Sequence, residues 1–139
     1  SWLANVWPGF TAENQARFDE RWGHARRLPA PVIFTSIEPQ IGPVVLPVDY
    51  LARGQGVWPF IGGESGPGAR PFNPAWADRI VGQCKAAGVP VFVKQFGSNP
   101  TLRDGSGWGP VRDKKGGDPS EWPAQLRVRE IPTAAAPTA

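Results

Sequence analysis

The chain has 139 residues, room for one folded unit rather than two. Glycine and proline contribute 17 residues each, which predicts a loop-rich fold, while 7 tryptophans and 7 phenylalanines supply enough bulk to keep the composition out of disorder. The net charge of +3 is too dispersed to indicate nucleic acid. The single cysteine excludes an intrachain disulfide and a self-contained iron–sulfur or cysteine-rich zinc site.

The first strand is expected at Asn5-Val6-Trp7, leading through Pro8-Gly9 to Thr11 as the N-cap of a helix over residues 12–28, which Pro29 and Pro31 end. The continuous apolar run of residues 32–37 reads as a strand buried on both faces, closing at Glu38-Pro39. Residues 41–48 read as an extended loop with a short turn of helix after it. A third strand, 57–61, contains Pro59, whose missing N–H predicts an edge position or an irregularity. It runs into the glycine-rich stretch from Gly62 to Gly68. Asn73-Pro74 then opens a helix whose stripe is Trp76, Ala77, Ile80, Val81 and Cys84, with Gly88 as its stop. A fourth strand is expected at 89–96, followed by an aperiodic region with a possible hairpin at Lys114 to Gly117 and a late extended piece at Leu126-Arg127-Val128-Arg129. Strand–helix alternation of this kind predicts a mainly parallel sheet.

Parallel sheets place ligands at the carboxyl ends of their strands, and glycines there let backbone N–H groups converge on a polar group. Glu38, Glu64 and Lys94 all fall at such ends, so their heads either meet at one rim or face solvent separately. The Gly62 to Gly68 loop is either a ligand cradle or a tight strand-to-loop turn; it has neither P-loop nor dinucleotide spacing. His24 reads as a solvated helix-face residue and Cys84 as an inert core thiol. Trp7, Trp22, Trp58 and Trp76 are expected in the core. Trp2, Trp108 and Trp122 lie in loop or terminal segments, where aromatics either anchor a partner or fold back over the core.

Asn5-Val6-Trp7 continuing to Glu13-Asn14-Gln15, Ser36-Ile37-Glu38-Pro39 with Gly42-Pro43-Val44, Gly62 to Pro71, and Val93-Lys94-Gln95-Phe96-Gly97 occur in this order. The series resembles the C-terminal half of a phage and prophage family of unknown function with a radical-SAM-like barrel. The likeness covers residues 5–97, and Glu121-Trp122-Pro123 to Ile131 resembles the family's closing piece. Members carry an N-terminal three-cysteine motif of the kind that holds a 4Fe–4S cluster, and this chain lacks it. By resemblance, Glu38, Gly62, Gly63, Glu64, Ser65 and Lys94 would line the barrel mouth. Pro8 and Pro59 depart from the family's aliphatic tendency at those positions.

The fold is therefore expected to be α/β: a four-stranded, mostly parallel half-barrel or open sheet over residues 1–97. A loop-rich extension, 98–131, would pack on it, followed by a low-complexity tail, 132–139. Half a barrel exposes two strand edges and an apolar inner face, which predicts a homodimer, a folded-back extension or a protein partner. The first functional expectation is a non-catalytic, phage-derived protein-binding module acting on a host protein or complex. Its specific form would be inhibition of a host defence complex, in the manner of an anti-CRISPR protein, with no cofactor in this chain. The alternative is the cofactor- or substrate-binding half of a radical-SAM-like enzyme, completed by another segment or chain, with S-adenosylmethionine as cofactor. No apolar run reaches the roughly 20 residues of a membrane span, so a cytoplasmic location in a bacterial host cell is expected.

Overall fold

The computed structural model describes residues 2–101 and 112–133. Trp108 and most of the expected tail, residues 134–139, lie outside them. The regular elements are β1 (Gly9–Thr11), α1 (Gln15–Ala25), β2 (Ile33–Ile37), α2 (Val48–Leu51), β3 (Val57–Gly62), α3 (Pro74–Ala87) and β4 (Phe92–Gln95). The strands form one sheet in the order β1-β2-β3-β4, every neighbouring pair parallel. This is the α/β open parallel sheet that strand–helix alternation implies.

The start of the chain differs from expectation. β1 begins at Gly9 rather than Asn5, and Thr11 pairs with Ser36 as a strand residue. The N-cap of α1 is instead Asn14, whose side chain accepts from the Arg17 N–H at 3.0 Å. The helix is correspondingly shorter than residues 12–28, its periodicity being prolonged by a turn in which the Leu28 N–H donates to the Ala25 carbonyl. α3 starts and stops where Asn73, Pro74 and Gly88 require: the Asn73 side chain caps the Ala75 N–H, and Gly88 has φ 70°. Ala77, Ile80, Val81 and Cys84 are its buried stripe, and their i, i+3, i+4, i+7 spacing fills that face without Trp76, which is half-buried.

Pro59 lies in an interior strand rather than at an edge. β4 pairs with β3 only from Phe60 onward, so on that side no ladder partner awaits an N–H from residue 59.

Alternation sorts the sheet into two faces. Ile33, Thr35, Ile37, Val57, Ile61 and Val93 point into a core shared with Phe18 and Trp22 of α1, Tyr50 of α2 and the α3 stripe. The Thr35 and Tyr50 hydroxyls hydrogen-bond each other there at 3.0 Å, which satisfies both polar groups in a dry environment. The opposite face carries Phe34, Trp58, Phe60 and Phe92, half-buried and in ring contact with one another, and Trp7 sits edge-on to Trp58 at 6.0 Å. Trp7 and Trp58 thus lie on this open aromatic face and not in the helix-covered core. Gly9 is required because the Phe34 ring occupies the space its Cβ would fill.

The C-terminal extension folds back along β4. Phe92 pairs antiparallel with Arg129, the Val93 N–H donates to the Val128 carbonyl at 2.8 Å, and the Glu130 N–H donates to Val91 at 3.0 Å. Trp122 stacks on Phe96 with centroids 4.8 Å apart and donates its indole N–H to the Gly116 carbonyl. Around Gly116 the chain makes a turn closed by Asp113 rather than a hairpin. Among the described residues, no helix is long and apolar enough to cross a membrane.

Candidate functional site

Glu38 continues the β2 alternation that places Phe34 and Ser36 on the open face, and Lys94 does the same for Phe92 in β4. Their strands are not neighbours, since β3 runs between them and separates them by about two strand spacings, roughly 9–10 Å. The two side chains nevertheless meet above β3: the Lys94 ammonium donates to both Glu38 carboxylate oxygens at 3.2 and 3.3 Å. The residue beneath them is Gly62. A Cβ there would lie 2.9 Å from Gln95 Nε2 and 3.0 Å from Glu38 Cδ, so the absent side chain is what opens the crossing.

Gln95 is the third member. Strand alternation points it away from Lys94, but the register shift between Ile61 and Gly62 brings its amide up to Glu38. Its Nε2 donates to Glu38 Oε1 at 2.8 Å and to the Gly63 carbonyl at 2.6 Å, while its Oε1 is buried without a partner. Gln40, whose backbone N–H donates to the Gly62 carbonyl, has a second orphaned buried Oε1. Native interiors satisfy nearly all such groups, so two orphaned amide oxygens on residues bonded to Gly62 and Gly63 stand out. Sequence reading passed over Gln95 because its only signal was adjacency to Lys94. The Glu38–Pro39 peptide bond at this rim is cis.

The other expected residues take different places. Glu64 does not join Glu38 and Lys94; Arg70 holds its carboxylate at 2.7 and 3.2 Å and adds a backbone N–H at 2.9 Å. These hydrogen bonds, the side-chain ones first, hold the Glu64 carboxyl below its usual range. Gly63 is needed for close approach, because a Cβ there would lie 2.3 Å from the Phe96 carbonyl oxygen. Ser65 is exposed. Two of the loop's N–H groups are committed, Gly63 to the Gln95 carbonyl and Gly66 to the Ser98 hydroxyl, and Ala69 just beyond bonds back to Gly66. Trp122, at 2% exposure, is core rather than an exposed anchor. Trp2 is half-buried with its indole N–H on the Val6 carbonyl.

A partly exposed ion pair contributes only about 0–1 kcal/mol, so the Glu38–Lys94 crossing is a weak staple. Chemically it is a carboxylate and an ammonium held side by side at the carboxyl ends of parallel strands, with one Lys94 proton left for another acceptor. Among the described residues there is no group of three or more His, Cys, Asp or Glu side chains able to hold a metal ion. The cluster implied by the resemblance does not fit this chain: Cys84 is its single thiol, and it lies fully buried in the helix-side core.

A family model described as "Protein of unknown function (DUF5131)" matches residues 1–124. No curated protein and no solved structure matches the chain.

Proposed function

Since the chain belongs to the DUF5131 family, we propose that it is the ligand-holding part of a βα-barrel-type protein of radical-SAM-like, phage-associated ancestry. In this reading the Glu38–Lys94–Gln95 rim receives the polar end of a small ligand. The observation that carries it is the crossing above Gly62: three polar side chains from two non-adjacent strands converge at the ligand-binding end of the sheet, with little gain in stability. The aromatic face supports it, because partly exposed rings in mutual contact on the sheet face away from the helices suit the interior of a barrel whose remaining strands come from another segment or chain.

S-adenosylmethionine is the first ligand to try. Its α-ammonium complements Glu38 and its α-carboxylate complements Lys94; when bound beside a reduced cluster it supplies radical chemistry, and the cluster would belong to the completing segment. This chain's residues bind and orient. The test is calorimetric titration of S-adenosylmethionine into the chain and its Glu38→Gln variant. Saturable binding weakened at least tenfold in the variant, with an unchanged far-ultraviolet spectrum, supports the reading. No saturable heat, or heat indifferent to Glu38, overturns it.

The aromatic face and the outer edge of β1, which has no strand beside it among the described residues, also favour a second reading, a non-catalytic module that docks a host protein, including an inhibitor of a host defence complex. Affinity capture from a bacterial lysate separates the two. A stoichiometric partner lost on Trp58→Asp supports docking, and its absence counts against it.

A further inference from the structure

The loop after β2 and the first turns of α3 border an open pocket of about 440 Å³, lined by Pro43, Asn73, Ala75, Trp76 and Arg79. Small-molecule sites span roughly 300–1,000 Å³. Both walls come from segments that follow the carboxyl ends of parallel strands, the end where such sheets collect ligands. None of the rim residues Glu38, Lys94 and Gln95 lines it, so the pocket stands apart from the site above.

Its side chains offer donors and no carboxylate. Arg79 presents a guanidinium with five N–H donors, and among the described residues it makes no ion pair and no side-chain hydrogen bond. The Trp76 indole N–H is equally without a partner there. Asn73 uses its Oδ1 to cap Ala75, which leaves its amide N–H groups as the open end. The backbone at the start of α3 contributes nothing: Pro74 has no N–H, and the Ala75 and Trp76 N–H groups are both bonded to Asn73. Any preference for an anion therefore rests on Arg79 and Asn73. Trp76 and Pro43 supply flat apolar walls, and Trp76 is the large apolar residue of α3 that the core stripe leaves out.

The geometry points to a binding site for a flat ring that carries an anionic group, with a nucleoside monophosphate as the fitting class. The ring lies against Trp76 and Pro43, and the phosphate meets Arg79 and the Asn73 amide. Stacking on an aromatic tolerates any base, so the site discriminates the phosphorylated nucleoside from its parts rather than one base from another.

The test titrates adenosine 5′-monophosphate, adenosine and inorganic phosphate separately into the chain by calorimetry. The monophosphate is expected to bind saturably and at least tenfold tighter than either fragment. Arg79→Gln, at an exposed position, should weaken the monophosphate tenfold or more and leave adenosine unchanged; Trp76→Leu should abolish the preference over inorganic phosphate. Glu38→Gln should leave monophosphate binding intact, which separates this site from the rim. No saturable monophosphate binding, equal affinity for inorganic phosphate, or binding indifferent to Arg79→Gln overturns the assignment.

Discussion

Gly62→Ala tests whether the polar crossing is built on a missing side chain. The added methyl would stand 2.9 Å from Gln95 Nε2, 3.0 Å from Glu38 Cδ and 3.1 Å from Glu38 Cγ, where ordinary contact needs 3.4–4 Å. Relief requires both side chains to retreat by about 0.5 Å. Gln95 cannot turn to water, since it is 8% exposed and held by bonds of 2.6 and 2.8 Å. Overpacking of this kind costs about 1–3 kcal/mol, and the stiffer unfolded chain of alanine offsets about 0.4–1 kcal/mol. The expected result is a net loss of about 1–2 kcal/mol. Gly82→Ala is the matched control. It sits in mid-α3 with nothing within 4 Å of its Cβ position, so the same chemical change should raise stability by about 1 kcal/mol. Urea unfolding followed by far-ultraviolet circular dichroism reads both, with the denaturant slope held constant. A Gly62→Ala chain as stable as its parent would refute the reasoning.

Three further outcomes follow from the packing. Trp122→Ala should lose about 3–5 kcal/mol in the same urea assay, because it empties the stack on Phe96 and removes one of the two donors to the Gly116 carbonyl; a loss below 1 kcal/mol would mean the extension is not part of the core. Burial, then the Glu130 carboxylate, pushes the Cys84 thiol up to about 12 from 9.0. Its contribution is complete below pH 9 and declines as the unfolded chain alone loses the proton, by up to about 1.4 kcal/mol per pH unit between those values. Cys84→Ala should flatten the alkaline slope by that amount, and identical slopes in the two chains would contradict the assignment. Removing residues 128–139 uncovers β4, so the truncated chain should sediment with a higher weight-average mass than the full chain at equal concentration; equal masses would remove the edge-covering role.

Much of the architecture was readable because local chemistry and fold agree. Asn73-Pro74 and Gly88 bound α3 as capping rules require, and the apolar run at Ile33–Ile37 forms an interior strand. The failures have physical causes. Thr11 and Asn14 are both competent caps, and pairing of Thr11 with Ser36 decided between them. Pro59 marks a defect in pairing, yet a late-starting neighbour accommodates that defect as well as an edge does. At the rim, Glu38 and Lys94 were legible as strand-end charges, whereas Glu64 was drawn off by Arg70, six residues along its own loop. Gln95 was hidden because a register shift, which leaves no mark in composition, overrode the alternation that should have turned it away.

The asymmetry of the sheet's two borders limits what assemblies this molecule can build. Its β4 border is sealed by Val128 to Glu130, while the β1 border has no strand beside it among the described residues. Head-to-tail stacking would need one copy's β1 to meet another's β4, and that junction is blocked. A pairing of β1 with β1 about a two-fold axis would close at two copies. A short segment at the end of the fold thus sets the polarity of the sheet's borders: among the described residues, β4 already has its backbone neighbour and β1 is the strand left to take one.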